Sequence, residues 1–171
     1  MPRFFYHGTT REGYEAIQKD GFIRPSTGNT YESQIFLTNN DQFALRVTHI
    51  KHAKHNGEEL FVYKLPKYLL KKKYLTRGDK HISNIISLGE KTWCYSEPIN
   101  IQHPDVLVSE PFPFVLNLPE GVSIHREGKG TGFSFTPEAA EKYGIELGTP
   151  GVVEAGASML QSRTVEVKQD A

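Results

Sequence analysis

Short β-favouring runs and amphipathic segments alternate along the first quarter of the chain. Residues 3–6 predict a strand that runs into a tight loop at His7-Gly8. Thr10 is placed to cap a short helix, and Gly21 supplies the C-terminal stop of that helix. The pattern therefore predicts a strand, a loop and a helix in this order.

A second strand and a longer helix follow. Residues 34–38 form a short apolar run that predicts a strand. The i, i+4, i+7 spacing of an amphipathic helix then appears at Phe43, Val47 and Ile50. Asn39, with Gln42 three residues later, resembles a capping box and predicts where this helix begins.

The later part of the chain is rich in β-forming residues and proline. Residues 59–65 predict a strand that ends at Pro66, and residues 93–101 are expected to be extended. The glycine-rich residues 128–132 predict a turn. Thr136-Pro137 opens a short helix with proline at its first position.

Length, charge and cysteine content bound the class of protein. A chain of 171 residues has the length of about one domain, and its 20 Lys+Arg balance its 20 Asp+Glu. Whole-molecule charge therefore provides no general attraction to nucleic acid or to anionic membranes. Small and polar residues dominate after 148, so we predict one domain over 1–147 and an extension over 148–171 that is loosely ordered or pairs at an edge.

The same composition predicts a cytoplasmic protein without membrane attachment. Cys94 is the single cysteine, which excludes an intramolecular disulfide and a cysteine-rich zinc site and fits a reducing compartment. No run approaches the 18 or more apolar residues of a membrane span. The first residues also lack the pattern of a signal peptide.

The His7-Gly8 pair is the most informative chemical feature. Because glycine has no Cβ, other groups can approach its main chain closely. Its N–H and C=O could bind a flat amide while the imidazole of His7 holds a sugar hydroxyl, and these groups suit a nicotinamide riboside. A His-Gly pair is more often a surface turn, so the pair alone leaves both interpretations open.

The order of these motifs resembles that of the ADP-ribosyltransferase superfamily. The pattern consists of YHGTT, the run IFLT and, between and after them, the residues Ile17, Gly21, Pro25 and Ala44. It is similar to the poly-ADP-ribose polymerase and diphtheria-toxin-like branch, and to small bacterial and phage members. The match is continuous over about residues 4–65 and patchy to 108. The resemblance implies an α+β fold, with a split β-sheet core and flanking helices around an NAD cleft.

The resemblance also implies site residues, with NAD as the co-substrate. His7 matches the histidine that binds a ribose hydroxyl, and Gly8 matches the glycine whose main chain holds the nicotinamide carboxamide. Thr9 lies beside the loop that shapes this pocket. Phe36 stands where other members have a tyrosine that stacks on nicotinamide, so the π face is kept and the hydroxyl is lost. Tyr31 could supply an alternative phenol.

The third family position is a glutamate on a later strand, and two glutamates compete for it. Glu97 shares one face of an extended strand with Trp93 and Tyr95, so its carboxylate would lie beside aromatic surface. Glu90, near the start of that strand, is the alternative. Either carboxylate would stabilise the oxocarbenium-like sugar that forms when the nicotinamide–ribose bond breaks. Most glutamates, however, are simply solvated.

Two further clusters are interpreted as solvated surface. His49, His52 and His55 follow at steps of three residues, which drift around a helix by about 120° over six residues, so we expect no metal site. A basic run includes Tyr68 and Tyr74 and consists of Lys67, Lys71, Lys72, Lys73, Arg77 and Lys80. It could contact phosphates or bases, although such runs are more often solvated.

The implied function is NAD-dependent transfer of ADP-ribose to a macromolecular acceptor, protein or nucleic acid, with release of nicotinamide. One alternative of the same fold is an RNA 2-phosphotransferase, which relies on arginines that Arg11, Arg24 and Arg46 match only loosely. Another is a non-catalytic binding or virion-associated structural protein that keeps the fold. An NAD glycohydrolase, with water as the acceptor, is a further alternative.

Overall fold

The computed structural model describes residues 2–25, 34–78, 91–127, 130–148 and 152–155. Within these ranges the chain forms three α-helices and twelve short strands, whose pairing is antiparallel except between the last two partners. The α+β class predicted from the sequence is therefore confirmed. None of the helices described has the length and apolar character needed to span a bilayer.

The chain divides into two compact units, 1–116 and 117–171. The functional domain predicted over 1–147 stays a prediction. The helices of the first unit are α1 (Arg11–Asp20) and α2 (Asp41–His52). Its strands are β1 (Phe4–Thr10), β2 (Phe22–Ile23), β3 (Ile35–Thr38), β4 (Glu59–Pro66), β5 (Leu75–Arg77), β6 (Thr92–Tyr95), β7 (Ile99–Asn100), β8 (Leu107–Val108) and β9 (Phe112–Pro113).

A seven-stranded sheet forms the centre of the first unit. Its strand order is β5-β6-β3-β1-β4-β8, and β9 also pairs with β4. β2 and β7 form a separate two-stranded sheet. The segment between β4 and β5 forms two 3₁₀ turns at Lys67–Leu69 and Lys72–Tyr74.

Local signals explain helix α1. Thr10 accepts a hydrogen bond from the N–H of Gly13 at 3.3 Å, and Gly21 ends the helix in the left-handed region at φ 83°. Tyr14 and Ile17 pack against the main hydrophobic core. The predicted cap and stop of this helix are confirmed.

Helix α2 begins one residue later than the capping box predicts. Its N-cap is Asn40, whose Oδ1 accepts the N–H of Phe43 at 3.0 Å. Asn39 instead accepts a hydrogen bond from the N–H of Lys91, far away in the sequence. The predicted capping box of Asn39 and Gln42 is therefore wrong, because a non-local partner takes the side chain of Asn39.

The two helices lie on opposite faces of the sheet. Along β4, Tyr63 and Leu65 belong to the core cluster that α1 covers, whereas Leu60 and Val62 pack with Leu45 of α2. Successive residues of a strand point to opposite faces, so this alternation assigns one helix to each face. The α2 face is the one that carries the candidate site.

The second unit contains a small sheet and a helix. Its elements are β10 (Val122–Glu127), β11 (Gly130–Phe135), α3 (Pro137–Tyr143) and β12 (Val152–Glu154). Thr136 caps α3 and Pro137 is its first residue, which confirms that prediction. β12 pairs in parallel with β11, inside the predicted extension. The turn predicted over 128–132 is wrong for 130–132, which form part of β11, and 128–129 lie outside the described residues.

Candidate functional site

In the large sheet, part of the main chain of β1 faces away from β4, the strand with which β1 forms its longest pairing. β1 pairs with β4, where Gly8 lies opposite Val62. Val62 donates its N–H to Ser109 Oγ and accepts the N–H of Ser109 at its C=O, both at 2.9 Å. In an antiparallel sheet the N–H and C=O of one residue point to the same side, so Val62 does not bond Gly8.

The main chain of Gly8 therefore points away from β4 and toward β3. The register of β1 with β3 consists of one pair, Tyr6 opposite Thr38. Because the main-chain groups of a strand alternate in direction, those of Tyr6 and Gly8 both point toward β3, but the pairing of β1 with β3 ends before Gly8. The N–H and the C=O of Gly8 thus face the space between β1 and β3.

Gly8 also sets how close helix α2 lies to the sheet. A Cβ on Gly8 would overlap Thr48 Oγ1 and lie 2.7 Å from the main-chain oxygen of Ala44. Thr48 is buried, and its Oγ1 donates to that same oxygen at 2.8 Å, so it cannot easily move aside. Only glycine at this position permits the observed packing of α2 on β1.

A cavity of about 50 Å³ lies between β1, β3 and α2. The residues of its wall used below are Tyr6, His7, Gly8, Phe36, Lys51 and His52. The structure thus brings together three of the residues predicted from the sequence. Since pockets that hold small organic ligands are typically about 300–1,000 Å³, a planar organic ring enters this cavity only if a side chain moves outward.

His7 spans the space between the two strands. Its Nδ1 lies 2.9 Å from the main-chain oxygen of Phe36. Burial lowers the pKa of His7, the bond to Phe36 opposes this, and the nearby His52 and Lys51 lower the pKa further. The imidazole is therefore neutral at pH 7, and since a carbonyl only accepts, Nδ1 carries the hydrogen. Nε2 is left as an acceptor for a hydroxyl.

The ring of Phe36 already binds a cation. The Nζ of Lys51 lies 4.2 Å from the ring centroid, within the range of a cation–π contact. Sequence reasoning identified Phe36 but missed Lys51. The spacing of the sequence indicates the side of α2 on which Lys51 lies, because Ala44, Thr48 and Lys51 follow at i, i+4 and i+7 and lie on one stripe of the helix.

The predicted site residue Thr9 lies outside this cavity. Thr9 is buried, and a Cβ on Gly13 would overlap its Oγ1, so Thr9 lies under the first turn of α1. Tyr31 and Glu90 lie outside the described residues. Their predicted roles stay predictions.

Glu97 lines a second cavity, of about 420 Å³. It follows the end of β6 and is exposed, whereas Trp93 and Tyr95 are buried in the core. Lys71 and Tyr74, from the segment between β4 and β5, line the same cavity. The structure does not bring Glu97 into the cavity of His7, and no Asp or Glu of the described ranges lines that cavity.

The three histidines of α2 and its C-terminal flank have separate environments. His49 is buried against Phe114, with ring centroids 5.7 Å apart, so the prediction that it is solvated is wrong. His52 lines the cavity of His7, and His55 is exposed. Within the part of the chain that the structure describes, no three His, Cys, Asp or Glu side chains are grouped to hold a metal ion.

No family model, curated protein or solved structure matches the chain. The geometry around Gly8 combines a main chain that points away from β4, a neutral imidazole with an open acceptor, and an aromatic face that holds a cation.

Proposed function

We propose that the protein binds NAD in the cavity at His7 and Gly8 and transfers ADP-ribose to a macromolecule, protein or nucleic acid, with release of nicotinamide. The observation that carries this proposal is the orientation of the Gly8 main chain. A primary carboxamide is planar and has one acceptor oxygen beside one donor nitrogen. It is therefore complementary to an N–H and a C=O of one residue that point to the same side.

The two neighbouring groups match the rest of a nicotinamide riboside. Nε2 of His7 is an acceptor for a ribose hydroxyl. The nicotinamide ring of NAD is a pyridinium cation, and the face of Phe36 already holds the cation of Lys51. When Lys51 swings outward, one cation replaces another over the ring and the cavity gains the space that the ligand requires.

The reaction follows from this placement of the ring. The bond from C1 of the ribose to the pyridinium nitrogen breaks, and its electron pair neutralises the ring, which leaves as nicotinamide. The cationic sugar then bonds to an oxygen or nitrogen of the acceptor, which gives its proton to a carboxylate or to water. We propose Glu97 for stabilising the cation, as the resemblance implies; because Glu97 lines the cavity of about 420 Å³ and not that of His7, this role requires its carboxylate to move toward the bound ribose. The gap beside Gly8 supports the split-sheet ADP-ribosyltransferase fold.

The RNA 2-phosphotransferase alternative has less support, because two of the three arginines that it would use are engaged in ion pairs. Arg11 forms an ion pair with Glu59 at 3.2 Å, and Arg24 forms one with Asp20 at 2.5 Å. Neither these arginines nor Arg46 line the cavity of His7. A phosphate at Nε2 would thus meet Lys51 and His52 rather than an arginine cluster.

Replacing His7 with alanine should weaken NAD binding about tenfold. The change removes the acceptor for a ribose hydroxyl and the group that bonds the oxygen of Phe36, and one such hydrogen bond contributes about 1 kcal/mol. Isothermal titration calorimetry of the wild type and the variant measures the difference. His55→Ala is the control, because His55 is an exposed histidine outside the cavity.

A second ligand tests the Gly8 contact itself. Nicotinic acid adenine dinucleotide replaces the carboxamide by a carboxylate, which cannot donate a hydrogen bond to the C=O of Gly8. We expect the wild type to bind it at least tenfold more weakly than NAD. Equal affinity for both ligands, or an unchanged NAD affinity in His7→Ala, would contradict the proposed site.

Phe36→Ala should weaken NAD binding at least fivefold, whereas Phe36→Tyr should leave it within twofold, because the ring face makes the contact. Phe4→Ala is a matched control: Lys64 Nζ lies 4.2 Å above the Phe4 ring, outside the cavity. Thermal melts of all three variants show whether each is folded. A folded Phe36→Ala variant that binds NAD like the wild type would make Phe36 a packing residue only.

A further inference from the structure

Residues 67–77, here called the basic segment, concentrate positive charge on one part of the surface. Five of these eleven residues are basic and none is acidic, in a chain whose formal net charge is zero. The basic side chains are all exposed and belong to Lys67, Lys71, Lys72, Lys73 and Arg77. The segment consists of the two 3₁₀ turns and of β5, which lies at one edge of the large sheet.

Within the described residues, no ion pair neutralises the charge of the basic segment. The salt bridges there join Arg11 to Glu59, Arg24 to Asp20 and Lys54 to Glu12, and no lysine or arginine of the segment takes part in one. Glu97 and Asp105 are described acidic residues that lie near the segment, and Asp79 follows it in the sequence, so its five basic residues outnumber these acids.

Aromatic rings hold two of these cations in place. The Nζ of Lys73 lies 5.0 Å from the ring centroid of Tyr74, and the guanidinium carbon of Arg77 lies 5.1 Å from that of Trp93. A cation over a ring keeps its hydrogen-bond donors for an anion on its other side. These two groups are thus oriented for phosphate before any ligand binds.

Two tyrosines of the segment supply surfaces for bases. Tyr68 is 65% exposed, and its hydroxyl donates to Asp105 while its ring packs edge-on against His103 at 5.9 Å. The ring is therefore fixed although it is exposed. Tyr74 lines the cavity of about 420 Å³ together with Lys71, and a cavity of this size accommodates a nucleobase.

We propose that the basic segment binds single-stranded nucleic acid, with phosphates at the lysines and bases stacked on Tyr68 and beside Tyr74. Only unpaired bases expose the faces that such rings contact, which favours a single strand over a duplex. An acidic polypeptide would use the charges but not the rings. This surface does not include the cavity of His7, although it shares with the proposed function the cavity that Glu97 lines. The inference goes beyond NAD binding, and its test is carried out without NAD.

Fluorescence anisotropy with fluorescein-labelled 20-nucleotide dT and rU strands, without NAD and at 50 to 200 mM KCl, tests the proposal. Each phosphate contact to a single strand contributes about −0.7 to the slope of log K against log salt. We expect the variant Lys67→Gln/Lys72→Gln/Lys73→Gln to reduce the slope by about 2 and to bind at least tenfold more weakly at 50 mM KCl.

The matched control removes the same charge elsewhere. Lys19→Gln/Lys91→Gln/Lys142→Gln changes three exposed lysines outside the segment, and we expect its affinity to stay within twofold of the wild type. No binding to either strand at 50 mM KCl, or an equal loss in both triple variants, would overturn the proposal.

The ring of Tyr68 separates nucleic acid from other polyanions. Tyr68→Leu should weaken oligonucleotide binding at least fivefold, and Tyr68→Phe should not, since the phenyl face is sufficient for stacking. Poly-L-glutamate of equal charge is the competitor. If it binds as tightly as the strands and Tyr68→Leu has no effect, the surface binds acidic polypeptides and the proposal is wrong.

Discussion

Glu97→Gln is expected to lower the rate of nicotinamide release by about a hundredfold or more, while the affinity for NAD stays within a few fold. Glutamine keeps the shape of the side chain and removes its charge. Cleavage creates a cationic sugar that is absent from bound NAD, so a carboxylate that stabilises it acts on the rate rather than on binding. Loss of one preorganised electrostatic group typically has an effect of this size.

The assay for this variant measures free nicotinamide by chromatography and transfer of label from NAD to a cell extract. Glu110→Gln is the control, since Glu110 is an exposed glutamate outside the cavities of His7 and Glu97. Full activity in Glu97→Gln with a loss in Glu90→Gln would assign the role to Glu90. Full activity in both would exclude both glutamates, and a wild type that binds NAD without releasing nicotinamide would be a binding protein.

Gly8→Ala is expected to destabilise the protein by about 3 kcal/mol and to lower its melting temperature by roughly 10 °C. The new Cβ would overlap Thr48 Oγ1 and crowd the oxygen of Ala44, so α2 must move off the sheet. Thermal unfolding monitored by circular dichroism gives the shift. It should be the largest stability effect among the variants named here.

A double variant shows whether this loss comes from the packing of α2. Thr48→Ala removes the nearest atom, so Gly8→Ala/Thr48→Ala should be less destabilised than the sum of the two single variants, by about 1 kcal/mol. Strict additivity, or a Gly8→Ala variant that melts like the wild type, would show that α2 does not pack on β1 as described.

Local signals allowed helix α1 to be predicted closely, because its cap and its stop lie within twelve residues. The start of α2 was missed by one residue because Asn39 bonds Lys91, a partner 52 residues away. The strand at 130–132 was predicted as a turn because pairing with neighbouring strands outweighs the usual preference of glycine for loops.

The candidate site was predictable only in part. The resemblance predicted that His7, Gly8 and Phe36 share one site, and the three residues do line one cavity. The spacing of Ala44, Thr48 and Lys51 puts Lys51 on the same stripe of α2, but its contact with Phe36 depends on how far α2 descends onto Gly8, a tertiary contact. The alternation of side chains along a strand predicted that Trp93 and Tyr95 lie on one face of β6. The cavity that Glu97 lines could not be predicted in this way, because its other wall comes from the segment of the 3₁₀ turns near the end of β6.

In the proposed NAD site, Lys51 occupies the face of Phe36 that the ligand ring would contact, and it therefore competes with the ligand for that face. A ligand ring binds only to the fraction of molecules in which Lys51 has withdrawn, so the measured dissociation constant equals the intrinsic one divided by that fraction. A pocket that is open one time in ten would bind about tenfold more weakly than its contacts allow. Chemical acetylation of this amine, which removes its charge, would therefore tighten binding without adding a single contact to the ligand.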